Sequence, residues 1–262
     1  MWCIQVLGVI NKMNSIFKIL FFITFFHLFV LVGYSQKNVL ASIPKNGKSF
    51  ESFVPKGYEV LGNAKGDLNK DSLEDVVMVL KSVKENDDDS ISDALPPRIL
   101  VILLRTNNGY ALSATSNTTV LCRTCGGAFG DPFENIQIEK QVITISHYAG
   151  SNWRWALTYK FRYQKDNWYL IGKTNYSYFD GAMCDDQGSK DGFVSTSVKA
   201  EALKDEFVST NYKDENLVTG DIYIKKISDD CKKTEKRYKV KPKPLISLQV
   251  FNAEKDLENN QN

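Results

Sequence analysis

The chain has 262 residues, with 33 lysines and arginines against 31 aspartates and glutamates, and only two histidines. Charge this evenly balanced lacks the one-signed field that drives binding to a phosphate backbone, so nucleic acid is excluded as a natural partner. The length suits one substantial domain or two small ones.

Asn14 to Gly33 carries one lysine near its start, then an apolar run from Ile19 to Val32 interrupted only by Thr24 and His27, then small residues at Gly33 and Ser35. This pattern is a signal peptide over residues 1–35, cut before Gln36. The other reading is an uncleaved anchor, because the run approaches the roughly 20 residues that span a bilayer. Cleavage removes Lys12 and Lys18 and no acid, which leaves 31 basic residues against 31 acidic ones. No later run is long enough to span a membrane, so an exported, periplasmic or extracellular domain over 36–252 is expected. Its core falls in about 50–180, followed by an extension over 181–252.

From Tyr58 to Leu104 the order is strand, aspartate loop, strand, acidic loop, strand. Val76–Leu80 and Ile99–Leu104 are continuously apolar, which places both inside a sheet covered on two faces. Between them Glu85–Asp93 reads as a solvated loop, with a second cation site at Asp87, Asp88 and Asp89 as its functional alternative. Asn107-Asn108-Gly109 marks a hairpin.

A meander follows. Ile143, Ile145 and His147 share one strand face, and Trp153 to Gln164 alternates apolar and polar side chains over twelve residues. Strict period two means one face in a core and one in water, the habit of an antiparallel sheet. Lys165-Asp166-Asn167 turns the chain into Trp168–Ile171, and Gly172 marks a bulge or a strand end. Ser197–Phe207 reads as a helix, with a strand at Val208–Tyr212 as its rival. Arg237, Lys239, Lys241 and Lys243 alternate with Tyr238, Val240, Pro242 and Pro244, as a guarded edge strand would; the functional alternative is a basic patch for anionic surfaces. Residues 253–262 are polar and aperiodic, a tail expected to fray. The expected fold is mainly β, with room for α+β: an antiparallel meander with a short calcium-type loop between two strands.

Cys122, Cys125, Cys184 and Cys231 remain after cleavage, an even number that in an exported chain reads as disulfides, with three pairings open. Redox or metal chemistry at Cys122 and Cys125, and free thiols, are the alternatives. A zinc site lacks a second close Cys or His pair. A thioredoxin-like centre lacks the long helix, because Gly126, Gly127, Gly130 and Pro132 follow.

In Lys65–Val77, oxygen-bearing side chains stand at positions one, three, five and nine: Asp67, Asn69, Asp71 and Asp75, with the Leu73 carbonyl between. Calcium takes six to eight oxygens, and such spacing offers most of them. The alternative is a turn whose aspartates cap their own backbone. An EF-hand is ruled out because its twelfth position falls on Met78. The loop resembles the short aspartate loops of FG-GAP and VCBS-type repeats, in which calcium bridges two strands. That resemblance implies Ca2+ held by Asp67, Asn69, Asp71, Asp75 and the Leu73 carbonyl. Lys70 and Ser72 replace its usual glycines, which implies weaker binding. More widely, Gly66–Asp71, Cys125–Phe133, His147–Trp155, Phe161–Gln164 and Trp168–Gly172 resemble a family of exported bacterial proteins with no activity to carry over.

His147 is the only histidine left after cleavage, so any Ser-His-Asp or Cys-His mechanism must run through it, with Ser151 and Asp131 as companions. No nucleophile elbow is present, and its strand position favours a structural role. Trp153, Trp155, Trp168, Tyr169 and Tyr178 could stack on carbohydrate, though aromatics of this period are first sheet-formers and core. The expected function is a calcium-stabilised binding or envelope-associated module, its ligand a carbohydrate or another envelope protein; a secreted hydrolase using His147 is the alternative.

Overall fold

The computed structural model describes residues 39–86, 95–180, 184, 208–228 and 230–261. The signal segment, Asp87–Asp89 and Ser197–Phe207 lie outside them. The chain divides into Met1–Ser42 and Ile43–Asn262. Of the first unit only Val39–Ser42 is described, a 3-10 turn closed by the Ser42 hydroxyl donating to the Val39 carbonyl at 2.7 Å.

The second unit is mainly antiparallel β. One sheet has five strands in the order β1-β5-β4-β3-β2: β1 Asn46–Gly47, β2 Tyr58–Gly66, β3 Asp75–Ser82, β4 Ile99–Thr106 and β5 Gly109–Ser116. The other has seven in the order β12-β11-β10-β9-β8-β7-β6: β6 Phe133–Glu139, β7 Val142–Gly150, β8 Trp153–Gln164, β9 Asn167–Phe179, β10 Val208–Asn216, β11 Asp221–Ser228 and β12 Lys233–Lys239. The apolar runs of β3 and β4 lie side by side, and Val76 to Leu80 and Leu100 to Leu103 have no exposed surface, as strands covered on both faces require. Val77, Val79, Leu100 and Ile102 meet Ile143, Ile145, Tyr159 and Phe161 of the larger sheet in one core.

Turn chemistry sets the registers. Lys140-Gln141 and Lys165-Asp166 adopt positive φ at both positions, the backbone of two-residue hairpins. In the β4–β5 hairpin positive φ falls on Gly109 alone, not on the asparagines. The β8–β9 ladder slips beside Gly172, where Lys160 pairs with Gly172 and Phe161 with Leu170, leaving Ile171 as the bulged residue. The basic β12 is the exposed edge of its sheet.

Two expectations are corrected. Glu85 is not solvated: it is buried and paired with Arg98. The tail does not fray, because Ala253–Gln261 forms helix α1. Asn252 caps it by accepting the Lys255 N–H at 3.0 Å, and Ala253 and Leu257, four apart, turn inward with Leu248 and Phe251 to close the core. Lys173 Nζ and the Tyr159 hydroxyl hold Asp256 at 2.8 and 3.2 Å. A sparse apolar pair escapes a search for long periodicity.

The sheets meet closely at Gly66. A Cβ there would stand 2.7 Å from Ile138 Cγ2, on a branched side chain with little freedom to yield. Gly66→Val should therefore destabilise the fold by about 1–3 kcal/mol in urea unfolding, with an unchanged m-value.

Candidate functional site

The aspartate loop joins β2 to β3. Leu68 is buried in the core, which pins the loop from beneath. Asp67 accepts the backbone N–H groups of Asn69, Lys70 and Ser72 at 3.2, 2.6 and 3.1 Å; Asn69 accepts that of Asp71 at 3.1 Å, and Asp71 that of Leu73 at 2.8 Å. Asn69 and Asp71 are exposed, and Asp67 is half-buried. Lys70 and Ser72 adopt φ of 68° and 65°, so the backbone takes the left-handed conformation at both positions where glycine is usual.

Asp75 stands apart from them. It is fully buried, and its two carboxylate oxygens accept the N–H groups of Leu68 at 2.7 Å and Arg105 at 2.8 Å. Burial raises its pKa, and the charges of Asp71 and Asp67 push the same way, against the two N–H donors. Asp67, Asn69 and Asp71 therefore cap the loop's own backbone, whereas Asp75 ties the loop to β4.

His147 sits on the inward face of β7, fully buried, with Phe133 and Tyr159 edge-on to its ring at 6.3 and 5.8 Å. Its Nε2 accepts the Leu121 N–H at 3.3 Å, and Nδ1 makes no hydrogen bond. Neither nitrogen meets Ser151 or Asp131. Burial depresses its pKa to about 3, helped by the nearby Arg98 charge, while Asp131 and the Leu157 backbone oppose. Held neutral and sealed from water, this imidazole has no geometry for general-base work on a substrate.

Arg98 was not singled out from the sequence. Its guanidinium, fully buried, bonds Glu85 at 2.7 Å, both oxygens of Asp131 at 2.7 and 2.6 Å, and the Leu121 carbonyl at 3.3 Å. An arginine opening a wholly apolar strand run, with acids on both flanking loops, was the available signal. By holding the N–H and the C=O of Leu121, His147 and Arg98 together fix the entry to the Cys122 turn.

Cys122 and Cys125 are bridged, as are Cys184 and Cys231. The first pair spans the start of a short 3-10 segment, Arg123–Phe129, and the Cys122 N–H points at Cys125 Sγ at 3.2 Å. Glu254 of α1 joins them, with one donor atom from each residue inside 4.8 Å. Cys125 lines a groove of about 650 Å³ with Trp153, Trp155, Arg154, Asn175 and Ser177. Gly150 shapes the groove's hairpin at φ 124°, with the Trp153 carbonyl where a Cβ would stand. Trp153 is 42% exposed, whereas Trp168 is core, its indole N–H donating to Ser113 at 2.9 Å.

On the outward face of the same sheet the rings form a strip. Tyr148, Ala156, Tyr176 and Tyr212 are directly opposed across four strands, and Tyr178 stands two residues beyond Tyr176. Centroids are 5.8 Å apart from Phe129 to Tyr148, 5.3 Å from Tyr178 to Tyr176, 6.3 Å on to Tyr212 and 5.8 Å on to Tyr223. The hydroxyls of Tyr148 and Tyr178 are hydrogen-bonded at 2.9 Å. Arg154 lies over Phe129 at 3.7 Å and Arg237 over Tyr223 at 4.2 Å, one guanidinium at each end. Burial and the Tyr148 hydroxyl push Tyr178 up to about 12, and burial with Asp214 raises Tyr212, so these phenols stay uncharged near neutrality. Tyr178 was picked out from the sequence; Tyr176, Tyr212 and Tyr223 were not, because cross-strand register brings them together.

Among the described residues no helix is long and apolar enough to cross a membrane. No family model, curated protein or solved structure matches the chain.

Proposed function

We propose that this chain is an exported, calcium-stabilised β module that binds an extended glycan along the outward aromatic strip of its larger sheet. The strip carries the reading: five tyrosine rings run across β7 to β11, with Phe129 beside the first, about 19 Å at the usual strand spacing, which accommodates several sugar rings end to end. Sugar C–H faces pack on neutral aromatic faces, and the terminal Arg154 and Arg237, with Thr174 and Asp214 between strands, supply polar contacts. Half-buried rings held by neighbours lose little freedom on binding, so the contact energy is not spent on ordering them. The two disulfides suit an oxidising compartment.

Isothermal titration against a panel of soluble polysaccharides tests the reading. Tyr176→Ala and Tyr212→Ala should each weaken binding about tenfold, the worth of one aromatic contact, with melting temperature little changed. Absence of binding to any member, or equal binding by both variants, would remove the glycan.

Calcium has its own test. The side-chain oxygens of Asp67, Asn69 and Asp71, with the Leu73 carbonyl, would hold the ion, and its charge would offset the crowded carboxylates beside Asp75. At a dissociation constant near 10⁻⁴ M, 2 mM Ca2+ should add about 1.8 kcal/mol of stability. A chelator should reverse the gain, and Asp67→Ala should abolish it. A melting temperature indifferent to calcium would leave the loop as a self-capped turn.

A further inference from the structure

We propose that Cys122–Cys125 is an exchangeable disulfide that oxidises an incoming dithiol, with Cys122 as the attacked sulfur and Cys125 as the leaving one. The inference is independent of the glycan reading.

The two bridges have different surroundings. Cys184–Cys231 closes a separation of 47 residues, and Cys184 is buried with its sulfur against the Ser228 carbonyl at 3.6 Å. Cys122–Cys125 closes a separation of three, which constrains an unfolded chain far less, and both cysteines are half-buried. The two cysteines also line different cavities. Cys125 lines the 650 Å³ groove, and Cys122 lines a second cleft of about 280 Å³ with Pro96, Pro97, Arg123 and Glu254.

Exchange requires a thiolate to approach along the S–S axis from the side away from the leaving sulfur. Cys122 lines the smaller cleft together with Arg123, whose positive charge favours an arriving thiolate. The incoming sulfur bonds to Cys122 Sγ, the S–S bond breaks, and its electron pair goes to Cys125 Sγ. That sulfur already faces the Cys122 N–H at 3.2 Å, a donor that stabilises the thiolate as it forms. Glu254 Oε1, 3.8 Å away, is within reach to relay a proton to it. The second thiol of the dithiol then attacks its partner sulfur and releases Cys122. One dithiol becomes one disulfide, and its two electrons and two protons end on Cys122 and Cys125.

Folded protein incubated with graded dithiothreitol, quenched by alkylation and mapped by mass spectrometry tests this without any variant. Cys122–Cys125 should open at least about tenfold faster than Cys184–Cys231, with one equivalent of dithiothreitol oxidised per chain. Glu254→Gln should alter the pH profile of that opening while leaving the far-ultraviolet dichroism unchanged. Cys125→Ser should trap a mixed disulfide on Cys122 with an aromatic thiol released from its disulfide, whereas Cys122→Ser should trap less at Cys125. Equal rates for the two bridges, or opening only under denaturing conditions, would overturn the proposal; an unaltered pH profile in Glu254→Gln would overturn the proton relay.

Discussion

Arg98→Met should cost the fold about 3–5 kcal/mol, a large fraction of the stability of a typical domain. Methionine fills most of the space, so the loss is electrostatic. The Glu85 carboxylate, 3% exposed, would be left buried without its cation, and the Leu121 carbonyl would lose its donor. Asp131 would suffer less, because 37% of its side chain reaches water and it also accepts the Phe133 N–H at 3.0 Å. Urea unfolding should therefore rank Arg98→Met well below Asp131→Asn. The double variant Arg98→Met/Glu85→Leu should recover much of the loss, because an apolar pair in place of a buried ion pair is often neutral or better. A loss under about 1 kcal/mol in Arg98→Met would show that water reaches Glu85 and that the cluster is not sealed.

The strands were legible because their signals are local. Continuous apolar runs placed β3 and β4 at the centre of a sheet, and strict alternation placed β8 at a half-covered face. Short polar turn segments marked the hairpins, although at Asn107-Asn108-Gly109 only the glycine takes positive φ. What escaped depends on contacts between distant residues. Arg98, Glu85 and Asp131 come from three separate loops or strand ends, and no window of sequence contains them together. The aromatic strip likewise needs the registers of β7 to β11, which a bulge or a slip of one residue would scatter over both faces. Asp75 marks the boundary between the two cases. Its spacing matches a ligand position, yet its burial and its two backbone donors make it an anchor, which spacing alone does not distinguish.

Acid should destabilise the protein chiefly through His147. In the unfolded chain its imidazole titrates at about 6.5, and in the fold at about 3, because burial and then Arg98 disfavour the cation. A base whose folded pKa is depressed gives full stability above 6.5 and loses it as pH falls toward the folded value. The loss should reach roughly 3 kcal/mol at pH 4 and approach about 5 kcal/mol well below pH 3, at 1.36 kcal/mol for each pKa unit. Asp75 acts with the opposite sign: its raised pKa makes the fold relatively more stable as pH falls through that folded value, so the measured slope is a net one. His147→Gln isolates the histidine, because an amide oxygen can still accept the Leu121 N–H but does not titrate in this range. Melting temperatures from pH 7 to 4 should fall more gently in His147→Gln than in wild type. In Arg98→Met the guanidinium that repels the imidazolium is gone while Asp131 still attracts it, so His147 should protonate at higher pH and the acid loss should shrink. Parallel pH profiles for wild type and His147→Gln would mean that the imidazole opens to water before it takes its proton, and that some other group sets the acid limit.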